Sequence, residues 1–291
     1  MVGVADGVYC RSPVTTADQP ADDTPLFDSV GDGAYEPTDY TRGPWNPALL
    51  HGGPVAALFA EILQAEGGDD TQPVRLTVDL VRPVPLAPLT MKTELVRSGK
   101  RLEVLAGELF ASDKLVARAT LAAIRPAPLE TVAYSPPLPR TPDEPGDAAS
   151  GWASPASSES FVGGAMDFVF ARQVGLGHGI AWLRLRRPVL ADQPISPLAR
   201  AAAAADVGNA VSSRKEPPLP PVSFVNADLS LSLSRLPEGE WIRLESVGRW
   251  EPTGIGWVRS QMSDQRSELG AVSNALVLEP MTGGFGWQEG G

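Results

Sequence analysis

His51-Gly52-Gly53-Pro54-Val55-Ala56-Ala57-Leu58-Phe59-Ala60-Glu61-Ile62-Leu63-Gln64 carries the strongest pattern in the chain. It reads as a helix of about three turns, apolar around nearly its whole circumference. Such a helix has to be wrapped by other structure rather than laid on a surface. Pro54 suits the first turn, where its missing N–H costs nothing, and Gly67-Gly68 ends the helix. Residues 74–84, 89–97, 101–111 and 115–124 then read as strands. Leu76, Val78 and Leu80 alternate there with Thr77, Asp79 and Val81. Gly99-Lys100 and Ser112-Asp113 stand at hairpin-turn positions.

The same plan recurs. Pro197 opens a second narrow, nearly all-apolar helix that runs through Ala201 to Ala205 and on through Asp206-Val207-Gly208-Asn209-Ala210-Val211. Strands are expected at 222–235, 241–249, 256–262 and 270–278. Leu76, Val78, Leu80 and Arg82 recur 153 residues later as Leu229, Leu231, Leu233 and Arg235, and Ile124 recurs 154 later as Leu278. The same offset lays Gly53 on Asp206. A nearly constant offset of this kind marks an internal duplication. A strand pair precedes each helix, weakly at 26–35 and more clearly at 166–173 with 179–185.

Eight prolines between 126 and 160 make that segment an extended connector. The chain therefore divides into a flexible arm (1–25), a first unit (26–125), the connector (126–160), a second unit (161–280) and a glycine-rich tail (281–291). A further cluster, Pro217, Pro218, Pro220 and Pro221, marks a loop inside the second unit. The fold class is α+β. Two sheets, each curled round one helix, can pair edge to edge and remove one pair of exposed strand edges. This builds a pseudo-dimer with a seam expected between two helix N-termini, where a ligand can meet backbone donors.

Composition excludes several functions. With 35 acidic residues against 24 basic, the net charge of −11 opposes nucleic-acid binding. One cysteine, Cys10, and two histidines, His51 and His178, leave no disulfide framework, thiolate zinc site or multi-histidine cage, so no metal is expected. No stretch approaches the ~20 apolar residues of a membrane helix, and the acidic start is unlike a signal peptide; the expected location is cytoplasmic. Gly175-Leu176-Gly177-His178-Gly179-Ile180 fails the dinucleotide-binding pattern at its last glycine, and no Gly-x-Ser-x-Gly nucleophile motif exists. Against this background Asp206 stands out. A carboxylate directly after five alanines needs donors, because burying it unpaired costs several kcal/mol.

The helix opened by His51-Gly52-Gly53, with Val78-Asp79-Leu80-Val81-Arg82-Pro83 in the meander after it, resembles the hotdog fold. The layout from 26 to 280 resembles the double-hotdog acyl-CoA thioesterase II family and the actinobacterial thioesterase-like proteins related to it. That resemblance implies hydrolysis of acyl-CoA by a water held by an Asp on the second helix, a Ser/Thr on the next strand and a Gln on the last. These positions fall on Asp206, Asn226 and Asn274, two of which depart from the family pattern; Gly52-Gly53-Pro54 likewise replaces Gly-Gly-Gln. Asp206 is the expected base and Asn226 and Asn274 position the water. His51, Gly52 and Gly53 are the expected substrate-binding residues, with amides beside Gly53 as oxyanion donors. Coenzyme A enters as part of the substrate, with no separate cofactor, and self-association into a homo-oligomer is expected. The two asparagines keep an alternative open: a protein that binds an acyl-CoA or carrier-bound acyl chain without hydrolysing it, or an enzyme repurposed for secondary metabolism.

Overall fold

The computed structural model describes residues 24–129, 158–213 and 222–280. The arm up to residue 23, most of the connector (130–157), the proline cluster at 217–221 and the tail from 281 lie outside the described residues.

The first unit contains β1 (Phe27–Gly31), β2 (Ala34–Pro37), helix α1 (Gly52–Glu66), β3 (Gln72–Asp79), β4 (Leu89–Ser98), β5 (Leu102–Ala111) and β6 (Lys114–Ile124). The second contains β7 (Met166–Gly175), β8 (His178–Leu185), α2 (Pro197–Ala205), α3 (Gly208–Ser212), β9 (Val222–Asn226), β10 (Asp228–Leu233), β11 (Trp241–Trp250), β12 (Ile255–Ser263) and β13 (Glu268–Pro280). All strands join one sheet in the order β1-β2-β4-β5-β6-β3-β10-β13-β12-β11-β8-β7, with β9 beside β13. This is a double hotdog: β3, β5 and β6 pack on α1, while β8, β10 and β11 pack on α2. From Gly53 to Ala60 every residue of α1 is buried, as is Leu63, so the helix is wrapped as its composition requires.

The two units join at β3 and β10, which run antiparallel. Thr77 lies opposite Ser230, flanked by Leu76 opposite Leu231 and Val78 opposite Leu229. Thr77 and Ser230 are themselves 153 residues apart, so equivalent residues meet on a local twofold axis. The four flanking apolar side chains are buried, and the duplication thus closes into one core.

Three expectations need correction. The second helix is not continuous. It breaks at Asp206-Val207 into α2 and α3. The 153-residue offset does not extend to the helices either. Their N-caps, His51 and Ser196, are 145 residues apart, because a loop and β9 intervene before β10. By that alignment Asp206 corresponds to Glu61, not to Gly53. Finally, the helix N-termini do not meet at the seam. Ser196 N–H donates to Glu61 Oε1 at 2.9 Å, while Gly52 lies against Asp206 beyond the far end of α2. The helices therefore run side by side in opposite directions, and the start of α1 faces the end of α2.

The predicted 222–235 strand is also divided. Asn226 pairs with Leu276, but Ser230 pairs with Ser273, so one extra residue is taken up at Ala227. This bulge reverses the alternation. Asn226 thereby shares the buried face of Leu229 and Leu231 instead of the partly exposed face of Asp228 and Ser230.

Candidate functional site

The helix break delivers the main carboxylate. In a continuous helix the Asp206 carbonyl would accept the Ala210 N–H. Here the Asp206 carbonyl accepts Asn226 Nδ2 at 2.8 Å, and the Ala210 N–H donates to Asn209 Oδ1 at 2.6 Å. The chain can stop being helical without orphaning these two groups. Asp206 is left between the two helical pieces with its side chain directed at the start of α1.

Its surroundings are built from both units. Asn226 Nδ2 also donates to Asp206 Oδ1, and His51 Nδ1 contacts Asp206 Oδ2. His51 Nδ1 lies 3.4 Å from Gly53 N. The Gly53 N–H donates to this nitrogen and also stabilises the carboxylate, against which His51 Nδ1 rests. Asp206 is only 2% exposed. Burial pushes its carboxyl up, but the charge of His51 and hydrogen bonds from His51, Asn226 and the Gly53 N–H outweigh this and hold it below the usual aspartate value. The carboxylate is thus buried, ionised and supplied with donors.

Both glycines are required by close approach. A Cβ on Gly52 would stand 2.6 Å from Asp206 Oδ1. One on Gly53 would stand 2.5 Å from the Phe161 ring and 3.0 Å from the Ala203 carbonyl. The Phe161 ring also packs on His51, with centroids 5.1 Å apart, leaving the imidazole anchored on one side by the ring and at Nδ1 by the carboxylate.

Asp206, Asn226, His51, Gly52 and Gly53 are therefore brought together. Asn274 is placed near them but is not bonded to them. It lies on the same sheet face, diagonal to Asn226 across the β9–β13 pairing, and is 2% exposed. Its Nδ2 donates to the Asp228 carbonyl at 3.1 Å, and its Oδ1 is buried without a hydrogen-bond partner. Asn226 spends both amide hydrogens on Asp206, so it holds the carboxylate rather than a water. Sequence reasoning missed Asn209, 7% exposed, which donates to Asn226 Oδ1 at 3.1 Å. Its signal was Gly208-Asn209, two poor helix formers inside an alanine-rich helix.

The pseudo-symmetric position is different. There Glu61 meets Ser196-Pro197-Leu198 in place of His51-Gly52-Gly53. Pro197 has no N–H, and Leu198 is a buried core residue where Gly53 permits close approach. Of the two equivalent positions, only the one at Asp206 combines a glycine pair with a histidine.

The arginines at the end of β8, and His178, are engaged in structural contacts. Arg187 is buried, donates to the Gly164 carbonyl and stacks 3.3 Å from the Tyr40 ring centroid. Arg184 and Arg186 pair with Asp167. Of these arginines Arg187 reaches across to the first unit, through Tyr40. His178 begins β8 just after the turn at Gly177, and its Nε2 lies 3.1 Å from Glu245 Oε1. Among the described residues no cluster of His, Cys, Asp and Glu could hold a metal ion, and no helix is long and apolar enough to cross a membrane.

The acyl-CoA thioesterase N-terminal domain family matches residues 41–124, and the acyl-CoA thioesterase C-terminal domain family matches residues 133–278. The chain belongs to the acyl-CoA thioesterase family. Several solved structures share its fold. A candidate thioesterase II from Thermobifida fusca aligns with a TM-score of 0.67 at 17% identity, covering 89% of this chain and 97% of its own. A hot dog fold protein of unknown function from Alicyclobacillus acidocaldarius aligns at 0.64 with 17% identity, covering 89% and 97%. An acyl-CoA thioesterase II from Mycobacterium marinum aligns at 0.62 with 14% identity, covering 89% and 96%. No curated protein matches. In this thioesterase family member the two matched domains meet at the β3–β10 seam, and the Asp206 site draws residues from both.

Proposed function

We propose that this chain hydrolyses an acyl-CoA thioester with Asp206 as the base that activates water. The observation that carries this reading is a buried, ionised carboxylate held by His51, Asn226 and the Gly53 N–H at the start of a helix, in a chain whose family is acyl-CoA thioesterase. Water attacks the thioester carbonyl carbon while its proton passes to Asp206. The tetrahedral oxyanion then collapses, the C–S bond breaks and the proton returns to the departing thiolate. The positive N-terminal end of α1 favours the developing negative charge. Asn274 Oδ1, a buried acceptor on the same sheet face, is available for the second hydrogen of the water.

The direct His51–Asp206 contact favours a second reading, in which His51 takes the proton and Asp206 orients the imidazole. Free-thiol release from a panel of acyl-CoAs separates the two. Asp206→Asn abolishes turnover under either reading. Asn can replace the Nδ1 donor but not a basic nitrogen, so His51→Asn retains measurable turnover if Asp206 is the base and none if His51 is. Absence of hydrolysis by the wild type on every chain length would leave binding without hydrolysis as the function.

A further inference from the structure

We propose that Asn209 is a positioning residue that sets the Asp206 carboxylate by dictating which way round the Asn226 amide stands. The inference rests on Asp206 being the water-activating base and assigns a role to a residue outside that chemistry.

A directed run of hydrogen bonds passes through the two amides. Asn209 Oδ1 accepts the Ala210 N–H at 2.6 Å, which turns its Nδ2 the other way. One Nδ2 hydrogen goes to the Phe224 carbonyl at 3.5 Å and the other to Asn226 Oδ1 at 3.1 Å. With its oxygen occupied, Asn226 presents Nδ2 to Asp206, reaching both the backbone carbonyl and Oδ1. Each oxygen along this path meets a hydrogen and each Nδ2 meets an acceptor, so only one orientation of each amide satisfies the network. Flipping Asn226 would set its oxygen against two Asp206 oxygens and its Nδ2 against that of Asn209.

This path begins at a backbone N–H released by the helix break and ends at the carboxylate exposed by it. Asn209 therefore acts twice: it accepts the Ala210 N–H within the first turn of α3, and it passes the polarity of that bond to Asp206 through Asn226. All three side chains are at least nine-tenths buried, so water does not compete for these positions. Among the described residues His51 is the other titratable group facing the carboxylate.

Two variants test the relay. Asn209→Asp has the same shape and still accepts the Ala210 N–H, but it presents an acceptor to Asn226. Asn209→Ala removes the donor without adding charge. The Asp206 carboxyl carbon is titrated by 13C NMR in the intact protein, beside the pH dependence of kcat/KM. Both variants are expected to raise the Asp206 midpoint, by about one pH unit, and to lower kcat/KM on the order of ten- to a hundredfold. In an Asn226→Ala background, Asn209→Ala should add almost nothing, because the two act in series. An unmoved Asp206 midpoint in both variants, or fully additive losses in the double variant, would overturn the relay. If the wild type hydrolyses no thioester, the thioesterase reading fails, and the carboxyl titration by itself still decides whether Asn209 controls Asp206.

Discussion

Gly52 has no side chain because Asp206 occupies the space that one would need. Gly52→Ala places a methyl group 2.6 Å from Oδ1, and the carboxylate has to move by several tenths of an ångström or more. Misplacing a reacting group by ~1 Å can cost ~100-fold in rate, so this variant should lose most of its kcat/KM while remaining folded; circular dichroism and thiol release on one preparation check both. The protonation of Asp206 gives a second expectation. Its carboxyl lies below the ordinary aspartate value, so activity that depends on the ionised form should persist below the usual carboxylate range and fall only as pH drops through the lowered value. A pH–kcat/KM profile with an acid limb at or above the ordinary aspartate value would contradict that state of Asp206. The identity of Asp206 as the notable residue was legible in the sequence, since a carboxylate beside five alanines calls for partners. Its partners were legible only in part. His51 lies 155 positions away, and nothing in local patterning shows that a helix start and a helix break will face each other.

At the scale of elements, strands and turns follow their patterns closely, while the exceptions cluster at the site. The second helix breaks because Asn209 and Asn226 take over the bonds that a continuous helix would make. β9 and β10 separate because one residue bulges out at Ala227. Without that bulge Asn226 would turn away from Asp206, as strict alternation predicts. A different turn shows how an element is pinned. Asp264 follows β12, is fully buried, and receives both terminal nitrogens of Arg235 at 2.7 Å together with the Glu238, Arg266 and Ser267 N–H groups. Burial pushes its carboxyl up, but those donors prevail and hold it at about 2. A depressed carboxyl stabilises the fold fully above its unfolded value of about 3.9, and that contribution is lost as pH falls toward the folded value. Urea titrations between pH 6 and pH 2 should show stability declining on the acid side. Asp264→Asn should be less stable by on the order of 2 kcal/mol at neutral pH and should decline less steeply with acid than the wild type.

Over the whole molecule, the β3–β10 seam makes two units into one body. Leu231 and Leu76 face each other there without exposure. Leu231→Ala should cost about 2–5 kcal/mol, and heat should unfold the protein in one transition, because neither sheet retains a covered edge alone. Two separate calorimetric transitions in the wild type would show that the units are stable independently. The duplication, the wrapped helices and the meander order were readable from the sequence because hydrophobic period and turn chemistry are local and repeat. The 153-residue spacing holds for the residues that meet on the twofold axis, but their meeting was visible only in the strand pairing. That spacing could not be carried through the helices, where the loop and β9 shift the register to 145, so Asp206 came to be matched with the wrong residue. Patterning along the chain was thus enough for the double unit, its elements and a buried carboxylate at Asp206. That this carboxylate faces His51, Gly52 and Gly53 and is held by Asn226, itself bonded by Asn209, emerges from the folded arrangement alone. Patterning records which side chains avoid water, whereas the partner of a buried charge depends on where distant backbone donors and amides come to rest.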